Sequence, residues 1–165
     1  MIAYEVEVRN LSEQINKLGR YDQIVNKRLR EGMTSSVQTI ERNAKMEAPV
    51  GVSGELRAKI THRVEGFGQE IKGIAGSYAN YAVYVETGTR PHWAPIEPLK
   101  LWVQRKFGAS GKEISAIAHA VQRAIARRGT KAQPYMKKGY NRSKSDIRKF
   151  FRRALGKIVD DIKVE

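Results

Sequence analysis

Residues 2 to 8 alternate, with Ile2, Tyr4, Val6 and Val8 on one side and Glu5 and Glu7 on the other, the period of a half-buried strand. Three- and four-residue steps then take over. Asn10 with Glu13 forms a capping box, and Leu11, Ile15, Leu18, Val25 and Leu29 make the apolar stripe of a long helix flanked by basic residues. Gly19 falls inside this helix and Gly32 near its end, each costing about 1 kcal/mol relative to Ala, so a bend or break is expected near Gly32. Ser35 with Gln38 offers a second capping box, and Val37, Ile40 and Ala44 carry the stripe towards Pro49, which stops it.

Pro49 to Gly54 is a turn cluster. Beyond it Leu56, Ala58, Ile60 and Val64 alternate with Arg57, Lys59, Thr61 and Arg63, which predicts a strand with one wet, basic face. Gly66-Phe67-Gly68 reverses the chain into a second strand around Ile71, Ile74 and Ala75, weakened by Gly73 and Gly76. Tyr78 to Val85 is rich in aromatic and β-branched residues and reads as a third strand, a helical turn being the alternative for so short a run.

Ile96, Leu99, Val103 and Phe107 predict a helix from Pro95, ended by Gly108. Ser110 with Glu113 opens another, carrying Ile114, Ile117, Ala118, Val121 and Ile125 and closed by Gly129. Pro134 begins a short helical turn, and Ser143 or Ser145 caps a final helix bearing Ile147, Phe150, Phe151, Leu155, Ile158, Val159 and Ile162. There is no fixed-period repeat, low-complexity tract or long linker. This order predicts an α+β fold: a small antiparallel sheet packed with a long broken N-terminal helix and two to three C-terminal helices. At 165 residues the chain can bury roughly 70 % of its extended surface, so residues 1–165 are expected to form a single domain.

Charge narrows the partners. The 31 Lys+Arg against 17 Asp+Glu give +14, which favours DNA or an acidic protein face. Arg148, Lys149, Arg152 and Arg153 crowd one short helical segment, and Arg127, Arg128 and Lys131 form a second basic group. Such faces are often only solvated; sequence-nonspecific attachment to DNA is the functional alternative. Absence of cysteine excludes disulfides, thiolate nucleophiles and Cys-ligated zinc. The start MIAYEVEVRN lacks a basic segment followed by an apolar run, so a soluble, unprocessed protein with no membrane partner is expected.

The stretch VYVETGTRPHWAPIEPLKLW places Glu86 six residues before His92, a spacing in which a carboxylate could orient an imidazole base. His62 and His119 fall on separate predicted elements and no HExxH or paired-acid spacing occurs, so neither catalysis, a metal nor a cofactor is expected. Glu86 reads instead as an ion-pair partner of Arg90 or Arg57, and His62 as a hydrogen-bonded core histidine. Tyr78, Tyr81 and Tyr84 read as packing or subunit contacts, with stacking on single-stranded nucleic acid as the alternative. Pro91, Pro95 and Pro98 stiffen the exit from the loop and present His92 and Trp93 as interface or packing residues.

Three segments carry a resemblance. APVGVSGELRAKI at 48–60, YAVYVETGTR at 81–90 and KAQPYM at 131–136 resemble, in this order, three motifs of a family of tail-component proteins from tailed double-stranded DNA bacteriophages and prophages. The likeness covers roughly residues 5 to 162; Tyr135-Met136 stands where Phe-Leu is usual, and a helical insertion at about 95–128 is lacking in shorter members. It implies a virion protein of the neck or tail-completion kind, assembled in the host cytoplasm. Such a subunit forms an oligomeric ring, commonly sixfold, that joins head and tail without catalysis, beside neighbouring neck and tail proteins and the DNA path. Carried onto this chain, Gly54, Leu56 and Arg57 shape the start of the sheet, while Glu86, Gly88, Thr89 and Arg90 shape the loop, Gly88 with positive φ. Glu86 and Arg90, oppositely charged and four apart beside Trp93, are expected to organise the loop at a subunit boundary, so that Glu86→Ala impairs ring assembly and leaves the subunit folded.

Overall fold

The computed structural model describes residues 2–7, 22–51, 54–66 and 70–164. The cap at Asn10, the stripe from Leu11 to Leu18 and Gly19 lie outside the described residues. Alternation at the start produces β1 (Ile2–Glu7), with Ile2, Tyr4 and Val6 half-buried and Ala3 and Glu5 exposed. β2 (Ile60–Glu65) and β3 (Lys72–Ser77) complete a three-stranded antiparallel sheet in the order β1-β3-β2, in which Ala75 faces Tyr4 on one side and His62 on the other. The protein is thus α+β. Gly73 belongs to the packing as well as the strand: a Cβ there would lie 2.6 Å from Met33 Sδ and Val37 Cγ1 of the helix across the sheet. Small residues in the central strand let that helix lie close.

That helix, α1 (Asp22–Glu47), runs without a break through Gly32, contrary to the expected bend. The last helix, here α6 (Tyr135–Val164), is also continuous and is not capped at Ser143 or Ser145. The two pack antiparallel, with Arg28 against Asp161, Gly32 against Ala154, Asn43 against Ser143 and Ala44 against Gly139. Glycine marks the seam of this pair: a Cβ on Gly139 would sit 2.5 Å from the backbone N of Ala44. Close approach along the whole seam offsets the propensity cost of each glycine. The serines behave similarly. Ser35 Oγ donates to Glu31 O at 3.0 Å, and Ser143 Oγ donates to Gly139 O at 2.8 Å while accepting Asn43 Nδ2–H at 2.9 Å. A capping residue has no free N–H to cap where the preceding turn is already helical.

Two predicted strand segments are helical. Residues 56–58 leave the expected strand as α2 (Glu55–Ala58), which starts at Gly54 with φ 67° and drives Leu56 into the core. Residues 78–85 do not form a strand; they lead into α3 (Ala82–Thr87), with Ala82 and Glu86 buried and Tyr84 and Thr87 exposed. Burial of that four-residue spacing outweighs β propensity. α4 (Ile96–Phe107), ended by Gly108 at φ 63°, and α5 (Lys112–Arg128) form a helical hairpin around their own cluster of Val103, Ala109 and Ala118. Among the described residues no helix is long and apolar enough to cross a membrane.

The three resembling segments meet in one cluster. Ala48, Leu56 and Ile60 come from the first, Ala82 from the second, and Tyr135 and Met136 from the third, closed by Ala44 and Ala79.

Candidate functional site

Glu86 sits at the end of α3, 8 % exposed, directed at the start of α6. Its Oε2 accepts the Met136 N–H at 2.9 Å and its Oε1 accepts the Lys137 N–H at 3.0 Å. Tyr135 N–H reaches Gln133 O and Lys138 N–H reaches Pro134 O, so every donor of the first turn has a partner. The carboxylate also faces the positive end of the α6 dipole. Glu86 is therefore a helix cap supplied from another element, inside the subunit. It pairs with neither Arg90 nor Arg57, contrary to the expected ion pair. Arg57 instead folds back, donating Nε–H and Nη2–H to Ala48 O at 3.0 and 2.8 Å and tying α2 to the end of α1.

Immediately after Glu86 the chain is locked a second time. Thr89 and Thr130 exchange backbone hydrogen bonds of 3.1 and 3.2 Å as an isolated antiparallel bridge, their hydroxyls lie 2.9 Å apart, and Gln133 N–H reaches Val85 O at 2.8 Å. Gly88 has the expected positive φ, 74°, and a Cβ there would come 2.5 Å from Thr130 O. Gly129 mirrors it, with φ 70° and a Cβ position 1.9 Å from Thr89 O. Two glycines thus permit two loops to touch, and no short motif in either loop announces the other.

Beyond the bridge the side chains turn outward. Arg90, His92 and Trp93 are exposed, Trp93 by 70 %, and His92 Nδ1 bonds only Arg90 O at 2.9 Å, away from Glu86. The Glu86–His92 pair therefore lacks the geometry of an acid-base couple. Tyr81 and Tyr84, exposed by 40 and 60 %, line a cleft of about 880 Å³ together with Arg90, His92 and Lys131. Tyr78 is separate, its hydroxyl accepting Arg63 Nη1–H at 2.7 Å.

His62, on the inner side of β2, is half-buried and hydrogen-bonded through Nδ1 to Glu41, which also takes Lys45 Nζ–H. Burial raises the Glu41 carboxyl, but the bonds from His62 and Lys45 outweigh it and hold its pKa below the ordinary value. Arg148, Lys149, Arg152 and Arg153 are exposed along the outer side of α6, and Arg127, Arg128 and Lys131 are exposed around the end of α5. Arg148 lies thirteen residues along α6 from Tyr135, roughly 20 Å, with Lys137, Lys138, Arg142 and Lys144 exposed between them. Among the described residues no three His, Asp or Glu side chains converge as metal ligands do.

Compared with models of known protein families, with curated proteins and with solved structures, the chain matches none.

Proposed function

We propose that this chain is a structural virion protein of a tailed bacteriophage, a subunit of an oligomeric ring in the neck or upper tail that joins head and tail without catalysis. The resemblance of the three segments supplies the family, and their convergence on one cluster gives that order a physical purpose. The observation that carries the interface role is the locked loop: Glu86 and the Thr89–Thr130 bridge immobilise its base while Trp93 stands 70 % exposed at its tip. Rigid, exposed aromatic groups lose little entropy on contact and serve as interface anchors.

Native mass spectrometry and electron microscopy of the purified chain test this reading. A closed ring is expected, and Trp93→Ala weakens subunit association by about tenfold or more without changing thermal stability. A chain that stays monomeric across the micromolar range overturns it.

A second reading, a sequence-nonspecific DNA-binding virion or accessory protein, rests on the exposed row of Arg148, Lys149, Arg152 and Arg153. Under it, the monomer shifts duplex DNA with an affinity that falls steeply with salt, and Arg148→Glu with Arg152→Glu lowers both affinity and salt slope. Lack of any DNA shift at low salt removes this reading.

A further inference from the structure

The cleft between α3, the 88–94 loop, the end of α5 and the 130–133 loop is lined by fifteen residues, none of them Asp or Glu. Arg90, His92 and Lys131 are its exposed charged or chargeable groups, while Val83, Val85, Ala94 and Ile125 are half-buried and supply an aliphatic surface. Tyr81 and Tyr84 add aromatic faces with hydroxyls. Neighbouring acids are already engaged. Glu86 is held by the α6 backbone, and Glu55, which acts on Tyr81, is paired with Lys59.

We infer that this cleft is a docking groove for an acidic polypeptide segment of a partner protein, bound by apolar anchors between the aliphatic residues and by carboxylates against Arg90 and Lys131. Charge complementarity selects the class: a concave surface with cations and no uncommitted acid repels basic segments and attracts acidic ones. Half-buried aliphatic residues with a few polar groups match the lining of a peptide or ligand groove. Single-stranded nucleic acid is the weaker fit, because it needs a row of cations to follow the phosphates, and the lining holds only Arg90 and Lys131, with Arg127 and Arg128 of the α5 end outside it. The walls are preformed, since the Thr89–Thr130 bridge and the Gln133–Val85 bond hold both loops in place and reduce the ordering cost of binding. The inference stands on the cleft alone and holds whether or not the chain forms a ring.

A display library of random peptides of about twelve residues, panned against the purified full-length protein, tests it. Enriched peptides should be net negative and contain aliphatic or aromatic residues. Their affinity, read by fluorescence anisotropy, should fall by about tenfold or more in Arg90→Glu/Lys131→Glu and stay unchanged in Arg148→Glu/Arg152→Glu. Both cleft residues are exposed, and Arg90→Gln/Lys131→Gln provides a milder pair should charge reversal lower thermal stability. No enrichment, enrichment of neutral or basic peptides, or equal binding by the cleft variants overturns the inference. So does an oligothymidylate whose binding depends on Arg90 and Lys131 where no peptide does, which would reassign the cleft to nucleic acid.

Discussion

Glu86 on α3 and Met136 on α6, fifty residues apart, are joined by a 2.9 Å hydrogen bond from the Met136 backbone N–H to the Glu86 carboxylate, and the adjacent Lys137 N–H takes the second oxygen. A short helix thereby caps the longest helix among the described residues. This relationship moves Glu86 from the surface to the foundation of the loop that follows it.

Loss of the cap should register in folding. Glu86→Ala leaves two donors unpartnered at a mostly buried helix start and removes a charge opposed to the dipole, a cost of about 2–4 kcal/mol. Glu86→Gln keeps one acceptor and should lose about half as much. Urea denaturation of the three proteins measures this; a change below about 0.5 kcal/mol in Glu86→Ala would show that the cap contributes nothing.

Tyr135 is buried at 1 % exposure, and among the described residues no group meets hydrogen-bond geometry at its hydroxyl, although the Ser77 side chain is close enough to act on it. Burial raises its pKa, with Ser77 acting in the opposite sense. Removing an unpaired buried hydroxyl costs little, so Tyr135→Phe should be neutral or stabilising by about 0.5–1 kcal/mol. Thermal denaturation by circular dichroism decides, a drop in Tm counting against the assignment.

The helix seam predicts two glycines with different tolerance. Gly139→Ala would push a methyl against the Ala44 backbone, where N is 2.5 Å away, and should destabilise by about 2–3 kcal/mol despite alanine's better helix propensity. At Gly32 the first obstacle is the Ala154 Cβ at 3.3 Å, so Gly32→Ala should fall within about 1 kcal/mol of the parent. Chemical denaturation of both variants should keep this order; equal effects would mean that the helices re-space freely.

Glu41 ties pH to stability. Its folded pKa lies below the ordinary carboxylate value, so the unfolded state binds the proton more readily. Its contribution is present above the unfolded value and is lost as pH falls through the folded one. Glu41→Gln should therefore flatten the acid limb of the stability-pH curve. Urea midpoints collected from neutral pH down into the acid limb test this, and an unaltered acid limb would refute the linkage.

How the chain reads before folding depends on the range of the signal. Ile2, Tyr4 and Val6 identify β1 because strand period is a local property, and Gly108 and Gly129 end their helices because a left-handed or otherwise positive φ is a single-residue demand. Gly88 was legible for the same reason. Gly32 and Ser143 mislead because each also serves the neighbouring helix across the α1–α6 seam, and Ser35 because its hydroxyl bonds Glu31 O in the preceding turn of its own helix. Leu56 and the Ala82–Thr87 segment mislead in the other direction, since burial against Tyr135 and Met136 selects helix over β propensity.

Local pattern thus determined the α+β class, the amphipathic helices, the basic faces and the turn glycines, all of which follow from composition and spacing along a few residues. Only the tertiary structure decided that Glu86 caps a helix fifty residues away, that Thr89 meets Thr130, and that Arg90 and Lys131 face one cleft. Those pairings join chain segments about forty to fifty residues apart, where the burial of hydrogen bonds and apolar surface acts and no local periodicity reaches.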